Sequence, residues 1–222
     1  MAATHTMHGS FRDRRDAGQQ LAALLGPPAA PQQNIVLAMP RGGVPVAYEV
    51  ARALAAPLDV FLVRKLGVPG REELAMGAIA SGGVRVLNDE VLAGLSLPGA
   101  VVEEVTARET AELERRERLY REGRPPLALA GRAVVLVDDG VATGASAGAA
   151  IAALRQRAVR TITLAIPVGP PTTIAWLAAQ VDELVCLLMP EPFFAVGSWY
   201  LDFGETTDDD VRQLLVDAAP RP

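Results

Sequence analysis

The sequence predicts an α/β fold with a central, mainly parallel sheet flanked by helices. Five short apolar runs alternate with helical stretches and with Gly- and Pro-rich turns. Apolar runs of this kind are typical of parallel strands that helices cover on both faces. The chain has 222 residues, of which 50% are hydrophobic, so a single domain can bury a full core.

The first half of the chain alternates helices with strands. A first helix is predicted where Ala17, Leu21 and Leu25 recur at helical spacing, and Gly26 ends it. Two apolar runs predict buried strands, and the apolar stretch between them predicts a second helix. The predicted elements are a helix over 12–25, a strand over 34–39, a helix over 44–54 and a strand over 58–63.

A polar segment and a hairpin follow. Residues 65–75 are polar and carry two glycines and a proline, which predicts a mobile loop. The apolar runs GAIA and VRVL flank a Ser-Gly-Gly turn at 81–83, which predicts a hairpin. Asn88 is suited to cap a short helix after it.

The second half alternates in the same way. The most strongly patterned helix spans 99–122, where Glu and Arg recur four residues apart, each pair adding about 0.3 kcal/mol. Those pairs are Glu104 with Arg108, Glu112 with Arg116, Glu114 with Arg118 and Glu117 with Arg121. Thr207 and Asp210 are spaced as a capping box for the last helix. The other predicted elements are strands over 133–137, 161–168 and 181–188 and helices over 145–156, 172–179 and 208–217.

Composition excludes several kinds of site. Both histidines, His5 and His8, lie in the first nine residues, which argues against histidine-based catalysis and His-rich metal sites. The single cysteine, Cys186, lies in an apolar run, which predicts a buried thiol and no intrachain disulfide. The net charge of −5 argues against a general nucleic-acid binder. No apolar leader or membrane span is visible, so we expect a cytoplasmic protein.

Three familiar motifs fail on their context. Residues 144–148 match G-x-S-x-G after a predicted strand, but that hydrolase arrangement needs a later histidine, and the sequence has none. No two glycines have G-x-G spacing, which removes the dinucleotide-binding fingerprint. Lys65 does not stand in a Walker A sequence, so no P-loop is predicted.

The most informative segment is VVLVDDGVATGAS, residues 134–146. A buried strand ends at two adjacent carboxylates, Asp138 and Asp139, and a loop of small residues then leads into a helix. Carboxylates accept hydrogen bonds from a sugar diol, and free N–H groups at a helix N-terminus bind phosphate. A ribose 5-phosphate carries both groups. The alternative interpretation is an ordinary turn with solvated aspartates.

This segment resembles the signature of type I phosphoribosyltransferases, which bind 5-phosphoribosyl 1-pyrophosphate (PRPP). The order of elements from about 34 to 188 is also similar to that family. MPRGGVP at 39–45 resembles its pyrophosphate loop, and 65–75 stand where it has a flexible catalytic loop. The chain looks closest to the predicted stand-alone members. The resemblance implies one domain over 1–222, with a core over about 12–188 and a C-terminal hood over about 189–222.

The resemblance implies roles for residues in the signature. Asp138 and Asp139 match the pair that holds the ribose 2′- and 3′-hydroxyls, and Asp139 is expected to be catalytic as well. The 5′-phosphate loop corresponds to Gly140, Val141, Ala142, Thr143, Gly144, Ala145 and Ser146.

It also implies a cationic site for the pyrophosphate. Arg41 and Gly42 match the pyrophosphate loop, where a cis peptide bond between Pro40 and Arg41 is expected. Arg64 and Lys65 lie where the family places further cations, although a solvated lysine at a strand end is an equal alternative for Lys65. Arg41 and Lys65 are expected to be catalytic because they stabilise charge on the departing pyrophosphate. Weaker candidates on the predicted loop are Arg71 and Glu72.

The acceptor base stays open at this stage. Purine-type relatives carry an acid at the position of Ala142, so alanine weakens a purine assignment without establishing uracil. Five aromatic residues lie in FFAVGSWYLDF at 193–203. We expect Trp199 and Tyr200 to stack on a base, and Phe193 and Phe194 to be core or dimer contacts.

Together these features predict transfer of the 5-phosphoribosyl group of PRPP to a nitrogen of a nucleobase-like acceptor, with release of pyrophosphate. Mg²⁺ is expected to be carried by PRPP, near Asp138 and Asp139. The resemblance also implies nucleotide salvage and a homodimer, without membrane or nucleic-acid partners. The alternative is a non-catalytic PRPP or nucleotide sensor on the same fold, because a fold does not determine function.

Overall fold

The computed structural model describes residues 10–26 and 34–219, and His5 and His8 lie outside these residues. Within them, eight strands form two sheets, with seven α-helices packed around them. The strands are β1 (Asn34–Ala38), β2 (Leu58–Val60), β3 (Val63–Val68), β4 (Arg71–Ala80), β5 (Val84–Leu87), β6 (Ala133–Val137), β7 (Thr161–Val168) and β8 (Glu183–Leu188). The helices are α1 (Arg14–Leu25), α2 (Gly43–Ala53), α3 (Asp89–Leu95), α4 (Gly99–Arg121), α5 (Ala145–Gln156), α6 (Pro171–Ala178) and α7 (Asp208–Asp217).

The larger sheet has the strand order β2-β1-β6-β7-β8, and every neighbouring pair is parallel. Alternate residues of β1 face opposite layers of the core. Ile35 and Leu37 pack with α5 and α6, whereas Val36 and Ala38 pack with α1 and α2. The predicted parallel sheet flanked by helices is confirmed. The carboxyl ends of its strands lie along one edge, which is where sheets of this kind bind ligands.

Local side-chain contacts fix the helix ends as the sequence predicts. Asn88 accepts a hydrogen bond from the N–H of Val91 over 3.2 Å at the start of α3. Thr207 and Asp210 form the complete capping box of α7. Along α4, the four-residue spacing forms ion pairs at three of its four predicted places. The fourth prediction is wrong, because Arg108 contacts its neighbour Glu109 instead of Glu104.

The predicted strand over 58–63 is two strands in different sheets. β2 ends at Val60, and the chain crosses to the second sheet before β3 begins at Val63. Phe61 and Leu62 are buried in this crossing, so their apolar character reflects burial between the sheets. The N–H of Leu62 donates to Ser81 Oγ over 2.8 Å, which fixes the crossing segment to the end of β4.

The predicted mobile loop over 65–75 is also wrong as secondary structure. The segment forms most of the antiparallel hairpin β3–β4, and β5 completes a three-stranded sheet, which we call the flap. Gly70, with φ +76°, lies at the hairpin turn. Leu66 and Val68 are buried, while the residues between and around them are more exposed. A strand that is buried on one face only is rich in polar residues. This explains why the composition of 65–75 resembles that of a loop. The predicted hairpin at 81–83 is confirmed.

Helix α4 contacts both sheets through arginine–carboxylate pairs. Arg121 Nε lies 2.9 Å from Oδ1 of Asp59 in β2, and Arg64 Nε on β3 lies 3.0 Å from Glu109 Oε2. The first pair is 10% exposed on both sides, whereas the Arg64 side chain is 30% exposed. The flap is therefore fixed to the same helix as the parallel sheet, by a more solvated contact.

Two further expectations concern exposure. Cys186 on β8 is buried, and burial raises the pKa of its thiol to about 12, which confirms the prediction of a buried thiol. Among the helices of the described residues, none is both long and apolar enough to cross a lipid bilayer.

Candidate active site

The predicted pyrophosphate loop and the predicted ribose segment meet at the carboxyl edge of the parallel sheet. β1 and β6 are neighbours in register, so residues 39–43 and 138–146 leave the sheet side by side. The peptide bond between Pro40 and Arg41 is cis, which confirms an expectation of the family resemblance. Segments more than ninety positions apart in the sequence thus form one side of a single site.

Glycines allow the two loops to approach this closely. A Cβ atom on Gly42 would lie 2.0 Å from Asp139 Oδ2, and one on Gly43 would lie 2.9 Å from the Cα atom of Asp138. Contacts this short do not occur in real proteins, so any side chain would push the loops apart. The two glycines therefore determine the position of the acid pair relative to the β1 loop.

The acid pair is partly neutralised by an arginine from α1. Arg14 Nε donates to Asp139 Oδ2 over 2.8 Å, and the two side chains are only 12% and 15% exposed. The other end of the guanidinium donates to the Gly204 carbonyl over 2.6 Å. Its carbon lies 3.9 Å from the centre of the Phe203 ring, a cation–π contact.

Burial and charge act differently on the neighbouring acid. Burial raises the pKa of Asp138 well above its ordinary value, and the adjacent negative charge of Asp139 raises it further. The N–H of Asp139, which donates to Asp138 Oδ1 over 2.9 Å, and the charge of Arg14 oppose this rise. A ligand that donates hydrogen bonds to the pair would offset part of this burial cost.

The loop after the acid pair offers unused backbone donors. In residues 10–26 and 34–219, several of its N–H groups donate to no other protein group; they belong to Ala142, Thr143, Gly144 and Ser146. Thr173 Oγ1 donates to the Ala142 carbonyl over 2.8 Å, and Gly144 turns the chain into α5 with φ +75°. These donors lie at the N-terminus of a 12-residue helix, where the dipole favours an anion.

Arg41 and the two flap cations contact carboxylates in this structure. Arg41 Nη2 donates to Glu205 Oε1 over 2.6 Å, and Lys65 Nζ donates to the Glu73 carbonyl over 2.9 Å and lies 3.5 Å from its carboxylate. Arg64 is paired with Glu109 on α4. Among the described residues, no hydrogen bond or ion pair joins these three cations to one another or to Asp138 and Asp139. The weaker candidate Glu72 accepts from the N–H of Gly70 at the flap turn.

The hood is built from both ends of the described chain. The N–H of Phe11 donates to the Trp199 carbonyl, and the N–H of Leu201 donates to the Phe11 carbonyl, each over 2.8 Å. Tyr200 OH donates to the Asp139 carbonyl over 2.6 Å, which connects the hood to the acid pair. Burial raises the pKa of this phenol, so it stays a proton donor.

Among the aromatic residues of the hood, Tyr200 differs from expectation. The Tyr200 ring is 6% exposed and packs against Phe11 and Phe203 at centroid distances of 5.2 and 5.0 Å, so it has no open face for a base. Phe194 is 82% exposed and lies outside the core of the described residues, whereas Phe193 packs against that core. The Trp199 ring is partly buried, and its Nε1 atom has no partner among the described residues.

Sequence reasoning missed Arg14, Tyr200 OH and Glu205 as neighbours of the predicted site residues. The basic cluster at 12–15 has the pattern of a solvated helix face. Arg14 and Asp139 are 125 positions apart, and no spacing rule connects such residues. The aromatic cluster at 193–203 is the one available signal, and it indicates the correct segment but not its contacts.

Comparison with known proteins identifies the family of the chain. Residues 29–196 match the family described as the phosphoribosyl transferase domain. Over 205 residues the chain is 50% identical to a Mycobacterium tuberculosis H37Rv protein, Rv0571c, whose name assigns it provisionally to the phosphoribosyl transferases. That match covers 92% of this chain and 46% of the relative, so the chain spans about half the length of the curated relatives it matches.

A solved structure is similar along nearly the whole chain. The crystal structure of TT1426 from Thermus thermophilus has a TM-score of 0.84 and 47% identity, covering 95% of this chain and 100% of that one. The family match spans the β1 loop, the flap and the acid pair, but it excludes α1 and most of the hood. On these grounds the chain belongs to the phosphoribosyl transferase domain family.

Proposed function

We propose that this protein transfers the 5-phosphoribosyl group of PRPP to a nitrogen of a nucleobase-like acceptor and releases pyrophosphate. One observation carries the proposal. Asp138 and Asp139 directly follow a buried strand, and the unused N–H groups after them, at a helix N-terminus, belong to Ala142, Thr143, Gly144 and Ser146. A diol acceptor next to an anion cradle fits ribose 5-phosphate better than any other common ligand.

Each part of the site has a role in this reaction. The carboxylates of Asp138 and Asp139 accept hydrogen bonds from the ribose 2′- and 3′-hydroxyls. The N–H groups of 142–146, with the hydroxyls of Thr143 and Ser146, bind the 5′-phosphate. Pyrophosphate lies against the loop at Arg41 and Gly42, where it has to compete with a carboxylate of the hood for the guanidinium.

The bond changes balance without a covalent enzyme intermediate. The bond between C1 of the ribose and the pyrophosphate oxygen breaks, and pyrophosphate keeps its electron pair. A bond forms between C1 and a nitrogen of the acceptor, which loses a proton. Arg41, with Arg64 and Lys65 when the flap closes, stabilises the negative charge that develops on the pyrophosphate. Flap closure also excludes water, which would otherwise hydrolyse the activated ribose.

The donor set fits a magnesium ion that arrives with the substrate. The described residues contain no group of three or more His, Cys, Asp or Glu side chains placed to hold a metal. Mg²⁺ commonly takes one or two carboxylates and completes its shell with water and substrate phosphates. Asp138 and Asp139 are the carboxylates that would contribute here. When bound, the ion would neutralise charge on the pyrophosphate.

The hood covers the acceptor in this proposal. Tyr200 has no open ring face, so stacking on a base falls to Trp199, whose ring is only partly buried. We also propose that the domain extends over 1–222, and that two copies associate. The exposed Phe194 is the residue we expect at that contact.

Calorimetric titration with PRPP, with and without Mg²⁺, tests the proposal. We expect saturable binding that Mg²⁺ strengthens. Asp139→Asn should lose PRPP binding while the protein stays folded, because an amide cannot replace the carboxylate as a double acceptor. Asp182→Asn is a matched control, because Asp182 also accepts from an arginine, over 2.9 Å, but lies just before β8. Wild-type affinity in Asp139→Asn would refute the assignment.

A sensor differs from an enzyme in turnover. After PRPP binding is established, pyrophosphate release is measured with a panel of purine and pyrimidine bases. Release with at least one base supports the transferase. Tight PRPP binding without release for any base supports the non-catalytic sensor instead.

A further inference from the structure

Arg14 is held more firmly than a surface arginine. Its guanidinium makes three contacts at once: the carboxylate of Asp139, the carbonyl of Gly204 and the face of the Phe203 ring. Three fixed contacts restrict a planar guanidinium to one orientation, and the fork geometry of arginine suits such an arrangement. The side chain is 12% exposed, so water competes weakly for its hydrogen bonds.

These contacts connect a residue inside the matched family domain with residues outside it on both sides. Arg14 lies on α1, before the matched residues 29–196, and Phe203 and Gly204 lie after them. Asp139 lies inside the matched part, just after β6. Arg14 is therefore a bridge between the acid pair and the hood, built from the two chain ends that surround the family domain.

The acid pair needs such a bridge. Two adjacent carboxylates repel one another, and the Asp139 carboxylate lies against the Cα atom of Gly42, where little space is available. Among the described residues, Arg14 is the cation whose side chain contacts this pair; Arg41, Arg64 and Lys65 contact other carboxylates. The orientation of Asp139 thus depends on Arg14.

We infer that Arg14 is a positioning residue for ribose recognition, holding the Asp139 carboxylate in the orientation that accepts the ribose diol. The inference rests on the proposed function and adds a residue from outside the family domain. Arg14 does not touch the ribose in this account. It acts through Asp139, and it maintains that contact only while the hood segment at 203–204 is in place.

The experiment measures discrimination of the diol. Ribose 5-phosphate and 2-deoxyribose 5-phosphate differ by one hydroxyl, and each is titrated as a competitor of PRPP. Wild-type protein should prefer the ribose form. In Arg14→Met that preference should fall about 10-fold, because the carboxylate loses its charged hydrogen bond and its fixed orientation. Arg14→Lys keeps the charge but cannot make all three contacts. Its preference for the ribose form should therefore lie between those of the wild type and Arg14→Met.

Arg12→Met is the matched control, since Arg12 also pairs with a carboxylate, on Asp16, but does not contact Asp139. It should keep the wild-type preference. A purely structural role for Arg14 would lower the melting temperature and weaken both sugar phosphates equally, and that result would overturn the inference. Unchanged discrimination in both Arg14 variants would also overturn it while leaving the proposed function intact. A wild-type protein that binds no PRPP would refute both proposals.

Discussion

The two sheets use the same helix in different ways. β2 of the parallel sheet is tied to α4 by Arg121 and Asp59, a pair that is 10% exposed on both sides. Asp59 also accepts hydrogen bonds from the N–H groups of Val60 and Leu127. The flap is tied to α4 by Arg64 and Glu109, and the Arg64 side chain is 30% exposed.

We expect this difference to separate a rigid part of the proposed site from a part that can move. The acid pair and the β1 loop follow strands of the parallel sheet. Close contacts at Gly42 and Gly43 and the buried ion pair of Arg14 with Asp139 fix their positions. Arg64 and Lys65 belong to the flap, whose Leu66 and Met76 are buried in the core but whose ion pair with α4 is more solvated. The proposed reaction, which admits PRPP and then excludes water, needs one fixed side and one side that can move.

The largest expected effect tests the two ion pairs against each other. Asp59→Ala should lower the free energy of unfolding by about 3 kcal/mol, because the buried Arg121 keeps only Glu117 as a carboxylate partner and two backbone N–H groups lose their acceptor. Glu109→Ala should lower it by only about 1 kcal/mol, because Arg64 can turn towards water. Urea denaturation of both variants measures the difference. Equal losses would show that the flap is anchored as firmly as the parallel sheet.

Sequence patterns predicted most of the parallel sheet but, in the flap, only the hairpin of β4 and β5. Strands buried on both faces are continuous apolar runs, so β1, β6 and β7 were predicted within one residue of their ends. The flap strands are buried on one face, and their polar residues resemble a loop. The run at 58–63 failed for the opposite reason, because apolar residues at a crossing between sheets look like a continuous strand.

The candidate site shows the same division. Asp138 and Asp139 were predicted because a local pattern of strand, acids and small residues carries their chemistry. Arg14 was not predicted, because its contact with Asp139 depends on how α1 and the hood pack after folding. Glu205 is a similar case, since its pairing with Arg41 depends on the path of the chain between β8 and α7.

The second expected effect tests the rigid side by adding one methyl group. Gly42→Ala places a Cβ atom 2.0 Å from Asp139 Oδ2 and 3.2 Å from Arg14 Nε, so the carboxylate must leave its present position. Loss of a hydrogen bond to a charged group costs about 1.5–3 kcal/mol, so we expect PRPP affinity, measured by calorimetry, to fall about 10- to 100-fold. The backbone at Gly42 has φ −59°, so alanine introduces no strain of its own.

Gly94→Ala on α3 is the control for this substitution, because no atom beyond its own turn of helix lies within 4 Å of the position that a Cβ would occupy. It should leave PRPP affinity unchanged. Wild-type affinity in Gly42→Ala would mean that the acid pair tolerates displacement, which would place it among the movable parts of the site.

The smallest expected effect is a pH dependence confined to the flap. Burial alone would raise the pKa of Glu109, but hydrogen bonds and charges from Arg64 and Arg108 outweigh it, so the pKa lies below the ordinary value of 4.5. A carboxyl whose pKa is lowered by folding stabilises the folded state at neutral pH. That contribution is lost as the pH falls through the lowered value, because the protonated acid no longer attracts Arg64.

Hydrogen exchange of the β3 and β4 amides, corrected for intrinsic rates, measures this effect in wild-type protein and in Glu109→Gln. At pH 7 the wild-type flap should be better protected, because glutamine keeps a neutral hydrogen bond but not the charge. As the pH falls through the lowered pKa of Glu109 the two proteins should converge, while β6 amides remain equal in both throughout. A difference that persists unchanged into acid would mean that the Arg64 contact does not hold the flap. The movable side of the site would then be fixed by its apolar face at Leu66 and Val68.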